Sequence, residues 1–382
     1  HAIDSGRLAG VHADDLLGDW YRHVVDLLPP VELFDAHTHL GQNDPDGFRC
    51  SPDELYAALA ANGSRAAVFP MHEPDGYPEA NDRVMSVAAA SEGRLVAFCR
   101  VNPPDGAVAE FSRCLAAGAR GLKLHPPAEQ FSLGEPEVRE LVGVAGEARV
   151  PVLIHAGRGI PALGEHALAL AAEFPDAPLI LAHAGVSDLS WLAGQARGHP
   201  NLYFDTAWMS PPDLLALFML VPPGQILYAT DIPYGSPIQS VISAFRCALQ
   251  AGLGPDQLVA VAGAQFGRLV AGEEAADLGP APGPGRAVGD PLLGRIGFYL
   301  AWASGLTTQG FEATEMMDLA RLACVVPDEA PQAGLCRSIT KLIAMAGAEP
   351  IGEVLEERFV RFKLLAVAGT LAATPGVGAP DA

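Results

Sequence analysis

Two histidines stand two residues apart in Phe34-Asp35-Ala36-His37-Thr38-His39, where an apolar run ends. In an extended strand, residues i and i+2 point to one face, so His37 and His39 can aim at a single point. That suits two ligands of one metal ion, although an isolated His-x-His is also a common structural or surface feature. Other residues favour the metal reading. His155, His183 and Asp231 close later apolar runs, and Lys123 lies within another. Imidazoles with a carboxylate suit zinc, or manganese or iron, and a catalytic site built from them leaves one position open for water. Such an ion lowers the pKa of its water from roughly 15.7 towards about 7, which makes a nucleophile at neutral pH. Asp231 could bind the ion and accept the proton of that water.

These residues meet only if the fold gathers them. Between about residues 31 and 250, short apolar runs with strand character alternate with helical patterns eight times. The runs are 31–34, 65–69, 95–99, 121–125, 152–154, 179–182, 202–204 and 226–229. Such alternation argues for a parallel sheet, and eight units fit a (β/α)8 barrel with its active site at the C-terminal strand ends. A doubly wound open sheet is the alternative; it would place the site at one switch point instead of around a ring. Among the helices, Ser51-Pro52-Asp53-Glu54 reads as a capping box, Ser187 as an N-cap, and 12–28 as one helix ending at Pro29-Pro30.

The chain thus divides into an N-terminal tail and helix (1–30), the barrel (31–272), a Pro/Gly linker (273–289) and a helical C-terminal extension (290–382). The expected fold class is α/β, a (β/α)8 TIM barrel with a C-terminal all-helical extension. Helical patterns in the extension fall near 291–304, 312–324, 333–346 and 351–368, without a ligand cluster. The extension reads as an appendage packed on the barrel or on a second subunit, which allows a homodimer, or as a lid over the site.

Composition narrows the partners. With 382 residues, 49% of them apolar, the chain can bury a large core, and its net charge of −21 disfavours nucleic acid and anionic membrane surfaces. No apolar run reaches the roughly 18 residues of a membrane span. Six scattered cysteines without CxxC spacing read as free thiols, so a reducing, cytoplasmic setting is expected.

Taken in order, the motifs resemble the amidohydrolase superfamily, and its amidohydrolase-related branch of metal-dependent hydrolases and decarboxylases in particular. The strings that carry the likeness are the His-x-His, Gly121-Leu122-Lys123-Leu124-His125-Pro126, Val152-Leu153-Ile154-His155-Ala156-Gly157, Leu181-Ala182-His183-Ala184-Gly185 and Tyr228-Ala229-Thr230-Asp231-Ile232-Pro233. The resemblance covers about residues 31–270. It implies His37, His39, His155 and Asp231 as ligands of a first metal. It makes His183 either a ligand of a second metal or a general base beside a single one. In two-metal members the strand-four lysine is carboxylated and bridges the ions, so Lys123 is expected as that bridge or as a lysine snorkelling to a surface ion pair. Asp205 either orients a ligand histidine or caps the helix near 211.

His72, Arg100, His125, Arg158 and Tyr234 follow strand ends and are expected to contact substrate; Arg158 is flanked by two glycines. The expected function is a hydrolase acting through a metal-activated water on an amide, ester or lactone of a small anionic molecule. The alternatives are a single-metal decarboxylase of an acidic ring compound on the same fold and a non-catalytic metal- or ligand-binding assembly module.

Overall fold

Runs of Val, Ile, Leu and Phe whose side chains are buried on both faces are the signature of strands sandwiched between a barrel core and a helical layer. The computed structural model has them as β1 (Phe34–Leu40), β2 (Arg65–Pro70), β3 in two segments (Leu95–Ala97 and Cys99–Arg100), β4 (Leu122–Leu124), β5 (Val152–Ile154), β6 (Leu179–Leu181), β7 (Leu202–Asp205) and β8 (Ile226–Leu227). It describes residues 9–104, 106–286 and 289–380, so most of the expected N-terminal tail and the last two residues of the extension lie outside it. All pairs are parallel. The ring closes where Ala36 N donates to Tyr228 O (3.0 Å), Asp231 N to His37 O (2.8 Å) and His39 N to Ile232 O (2.8 Å). A parallel (β/α)8 barrel results, as expected.

Three local readings change. The first strand runs through the His-x-His instead of stopping before it. The third strand breaks at Phe98, whose N–H still donates to Val68 O while its ring joins the barrel interior. The helix expected over 12–28 is two, Ala9–Leu16 and Gly18–Val25, parted at Leu17. The capping box at Ser51 and Glu54 forms as read. Ser187 does not cap the helix Leu189–Ala196, which follows Asp188; its Oγ accepts from Gly159 N at 2.9 Å.

Phe34, Phe69, Phe98, Leu153, Ile180 and Tyr203 fill the barrel below the site, and Phe266 closes it from beneath. Gly263 sits against this floor. A Cβ there would lie 2.6 Å from Phe34 N and 2.7 Å from Glu32 O, both backbone atoms that cannot turn aside. Gly263→Ala is therefore expected to cost about 1–3 kcal/mol, read as a lower denaturation midpoint at unchanged slope; an unchanged midpoint would contradict the close packing.

The C-terminal segment consists of helices Pro291–Thr308, Thr314–Ala323, Ala333–Ala348 and Leu355–Ala373. The last packs on the barrel helix Pro237–Ala251, where Ser243 and Thr370 hydroxyls meet at 3.3 Å and Arg246 Nε donates to Thr374 Oγ1 at 2.9 Å. Among the described residues no helix is long and apolar enough to cross a membrane. All six cysteines are buried and unbridged.

Candidate metal centre

β1 points His37 and His39 into the barrel mouth, and the turn after β8 brings Asp231 to them. Asp35, fully buried two residues before His37, ties these elements together: its carboxylate accepts from His37 N (3.0 Å), Thr230 N (3.0 Å) and Thr230 Oγ1 (2.5 Å). The turn closes through Gly235 N to Asp231 O (2.9 Å), and only glycine fits there, because a Cβ would fall 1.7 Å from Thr230 O.

His37 Nε2 and His39 Nε2 lie 3.2 Å apart, and each lies 3.0 Å from Asp231 Oδ1. Ligands about 2.0–2.2 Å from one ion stand about 3–3.5 Å from each other, so these three atoms are spaced as a metal would space them. The hydrogen bonding agrees. His37 Nδ1 faces Asp205 Oδ2 at 2.8 Å and donates there, which leaves Nε2 with a lone pair turned towards the Asp231 oxygen. Two such lone pairs repel unless a proton or a metal cation stands between them. Without a metal, a proton takes that place. Burial and the Lys123 ammonium push the His37 imidazolium down, yet Asp231 and Asp205 outweigh them and hold it above its ordinary value. Burial pushes Asp231 up, but His37 and His39 outweigh it and keep the carboxylate well below its usual range. This group could hold a metal ion.

The other strand-end residues form a ring around it. Lys123, fully buried, places Nζ 3.3 Å from His37 Nε2 and 4.9 Å from the centre of the Phe69 ring. Burial lowers its ammonium to about 7, so a large fraction is neutral amine at neutral pH. It does not snorkel outward. His155 stands outside the three-donor group: its Nδ1 is 3.3 Å from His183 Nε2, and its ring stacks on His125 at 3.9 Å. His183 sits in a short 3-10 turn after β6 with φ of 55°, a left-handed conformation uncommon outside glycine. Asp205 holds that turn by accepting from His183 N (2.7 Å) and Ala207 N (3.0 Å), while Ala207 O faces His183 Nδ1 at 3.1 Å. Asp205 thus touches His37 and His183 together, and the helix Pro211–Leu220 is capped by Ser210 instead.

The five residues expected at the substrate fall into different places. Arg158 is exposed on the loop after β5. His125 accepts from Ala128 N at 3.2 Å and stacks on His155. Tyr234 donates to Asp44 Oδ2 at 2.5 Å, with its ring edge-on to His39 at 5.5 Å. Arg100 is 2% exposed and already engaged, donating to Glu129 Oε1 (2.7 Å) and Pro70 O (3.1 Å), so its two terminal nitrogens do not form a free carboxylate clamp. Tyr77 also donates to Glu129, and His72 Nδ1 lies 3.9 Å from it. In this cluster Arg100 Nε, Glu129 Oε2 and His72 Nδ1 are buried without hydrogen-bond partners. Sequence reasoning passed over Glu129 and gave Asp35 no role. The signal for Glu129 was slight, a carboxylate one turn after the Lys123 motif.

The family model described as Amidohydrolase matches residues 34–262, which contain this whole centre. The chain belongs to the amidohydrolase family, a family of enzymes. Among solved structures it is similar to an uncharacterized TIM-barrel protein from Bordetella bronchiseptica, at 16% identity and a TM-score of 0.51 over 63% of this chain and 99% of that one. It is equally similar to 2,6-dihydroxybenzoate decarboxylase in complex with 2,6-dihydroxybenzoate, at 16% identity and 0.51 over the same shares. At such identities the likeness is one of fold. No curated protein matches the chain.

Proposed function

We propose that the chain is a metal-dependent hydrolase of a small polar substrate, with His37, His39 and Asp231 holding the metal. The observation that carries this reading is the triangle of His37 Nε2, His39 Nε2 and Asp231 Oδ1, with sides of 3.0–3.2 Å, at the barrel mouth. A bound zinc, manganese or iron ion would supply a Lewis acid for splitting an amide, ester or lactone. Asp205 fixes the tautomer of His37, so that Nε2 is the ligand atom. His183, held through Nδ1 by Ala207 O, turns the lone pair of Nε2 towards His155 Nδ1 at 3.3 Å, and that nitrogen would take or give the proton. The unsatisfied atoms of Arg100, Glu129 and His72 are buried, so a polar substituent of the substrate would have to open this cluster to meet its donors and acceptors. The neutral fraction of Lys123 supports its carboxylation and a second ion. Arg158, His125 and Tyr234 would line the rest of the approach.

A second reading is a single-metal decarboxylase of an acidic ring compound. One observation favours it: a single three-donor group stands at the mouth among the described residues, with His155 outside it. Elemental analysis of freshly purified protein separates the readings. About two ions per chain supports the Lys123 bridge and hydrolysis, and about one supports the lyase. Less than about a tenth of an ion after incubation with zinc, manganese or iron would overturn both.

Asp205→Asn tests the support of the centre. It keeps the shape of the side chain and removes the charge behind His37. Metal affinity is expected to fall about 10–100-fold in chelator competition. Unchanged affinity would show that His37 needs no such partner.

A further inference from the structure

Phe359 and Phe362 lie outside the segment shared with the family, on the C-terminal helix Leu355–Ala373. A chain of rings nevertheless links that helix to the metal centre. His39 meets Tyr234 edge-on at 5.5 Å, Tyr234 meets Phe48 at 4.8 Å, and Phe48 stacks on Phe359 at 5.3 Å. Trp208 then lies 5.5 Å from Phe359 and 5.8 Å from Phe362, nearly parallel to the latter at 17°. The barrel members of this chain come from loops that carry the site. Tyr234 follows Asp231 by three residues, Trp208 follows Asp205 by three, and Phe48 lies in the loop after the His39 strand.

Two features separate a wall from a lid and from plain core. The helix is fixed: Phe359 is 1% exposed, and Ser243–Thr370 and Arg246–Thr374 bonds tie the same helix to the barrel. The rim is open: Trp208 is 42% exposed, and Tyr234 and Phe362 are half-buried. Exposure alone does not mark Trp208, because Trp191 and Trp302 are exposed to a similar degree; its backbone and its neighbours do. Trp208 is held out at φ of 56°, a strained conformation for a bulky residue. The residue before it is clamped by Asp205 and His183, so the site's own polar groups aim the indole.

We infer that the C-terminal helix is one wall of the active-site mouth, and that Phe362 and Trp208 are a specificity-determining pair that takes a flat, apolar part of the substrate. This inference rests on the reading of the barrel mouth as the substrate site. The two rings stack on each other at 5.8 Å, so a flat group would lie against the open face of Trp208 and the edge of Phe362, where it gains a ring contact that a puckered or branched aliphatic group does not. The polar end of the same molecule would then face the metal centre.

Two probes of equal charge test it, benzoate and cyclohexanecarboxylate, titrated into zinc-loaded protein while tryptophan fluorescence is followed. Benzoate is expected to bind more tightly than cyclohexanecarboxylate to the wild type. Phe362→Ala is expected to weaken benzoate about tenfold, with metal content unchanged. Phe362→Tyr should restore binding, and Phe298→Ala, an exposed aromatic on another helix, should leave it alone. Should Phe362→Ala fail to fold, Phe362→Leu preserves the packing volume and is expected to show the same loss of preference. Wild-type benzoate affinity in both variants, equal affinity for the two probes, or no benzoate binding by wild type would overturn the proposal. Metal content measured on the same samples separates the two failures: no benzoate binding by a chain that holds zinc counts against ring recognition, a chain that takes up no zinc counts against the metal reading, and the ratio of the two affinities, in which the shared carboxylate cancels, is scored in either case.

Discussion

Asp231→Asn will leave the chain folded, strip its metal and reduce kcat/KM by at least about a hundredfold. The fold should survive for backbone reasons. Asp231 has φ of 63°, and asparagine is the other side chain that visits this region readily. Its N–H bond to His37 O and its carbonyl bond to Gly235 N do not involve the side chain. The metal should go for electrostatic reasons. Oδ1 of Asp231 touches both Nε2 nitrogens, and its negative charge is what makes a cation at that point favourable. An amide supplies no charge there and turns either a weaker oxygen or an N–H towards two imidazoles. Metal per chain, the denaturation midpoint and kcat/KM on a hydrolysable substrate check the three parts separately. A variant with full metal and full activity would sink the assignment of the triangle.

Much of this centre was legible because it depends on period and order. A two-residue spacing in a strand puts His37 and His39 on one face, and the periodic alternation of runs puts the ends of β4, β5, β6 and β8 around one mouth. What escaped is what depends on tertiary contact or on backbone conformation. Nothing local marks Asp35 as the clamp on Thr230, 195 positions later. Glu129 pairs with Arg100 across 29 positions, and only the fold shows that Arg100 is thereby occupied. The left-handed residues His183, Ala184, Trp208 and Asp231 are ordinary in sequence, and their strain exists only because Asp205 and the β1–β8 seam hold them. The interruption at Phe98 was hidden by an unbroken apolar string, since a residue turned into a barrel core looks like a strand residue. The docking of Phe359 against Phe48 gave no signal either, because an amphipathic stripe states that a face is buried without stating what buries it.

His183→Asn carries the second large effect, and its value lies in what it does to the metal. In the structure Nδ1 of His183 faces a carbonyl, so that nitrogen bears the proton and Nε2 bears a lone pair. Burial holds the imidazolium below its ordinary value against the pull of Asp231 and Asp205, so the ring is a neutral base at pH 7. Asparagine keeps what the fold needs: it tolerates the φ of 55°, and its amide can still donate to Ala207 O. It lacks the basic nitrogen. With one ion, the expected result is unchanged metal content and a kcat lower by about 10²–10⁴ with little change in KM. The pH profile also changes in a defined direction. Wild-type rate falls as pH drops through the depressed His183 value, when the base becomes protonated, and the variant lacks that acid limb. With two ions, the same substitution removes about one ion per chain together with the activity, and Lys123 then becomes the group to examine for carboxylation. Full kcat with the acid limb intact would exclude His183 from both mechanisms and move the proton to Asp231, whose carboxylate touches both metal-facing histidines.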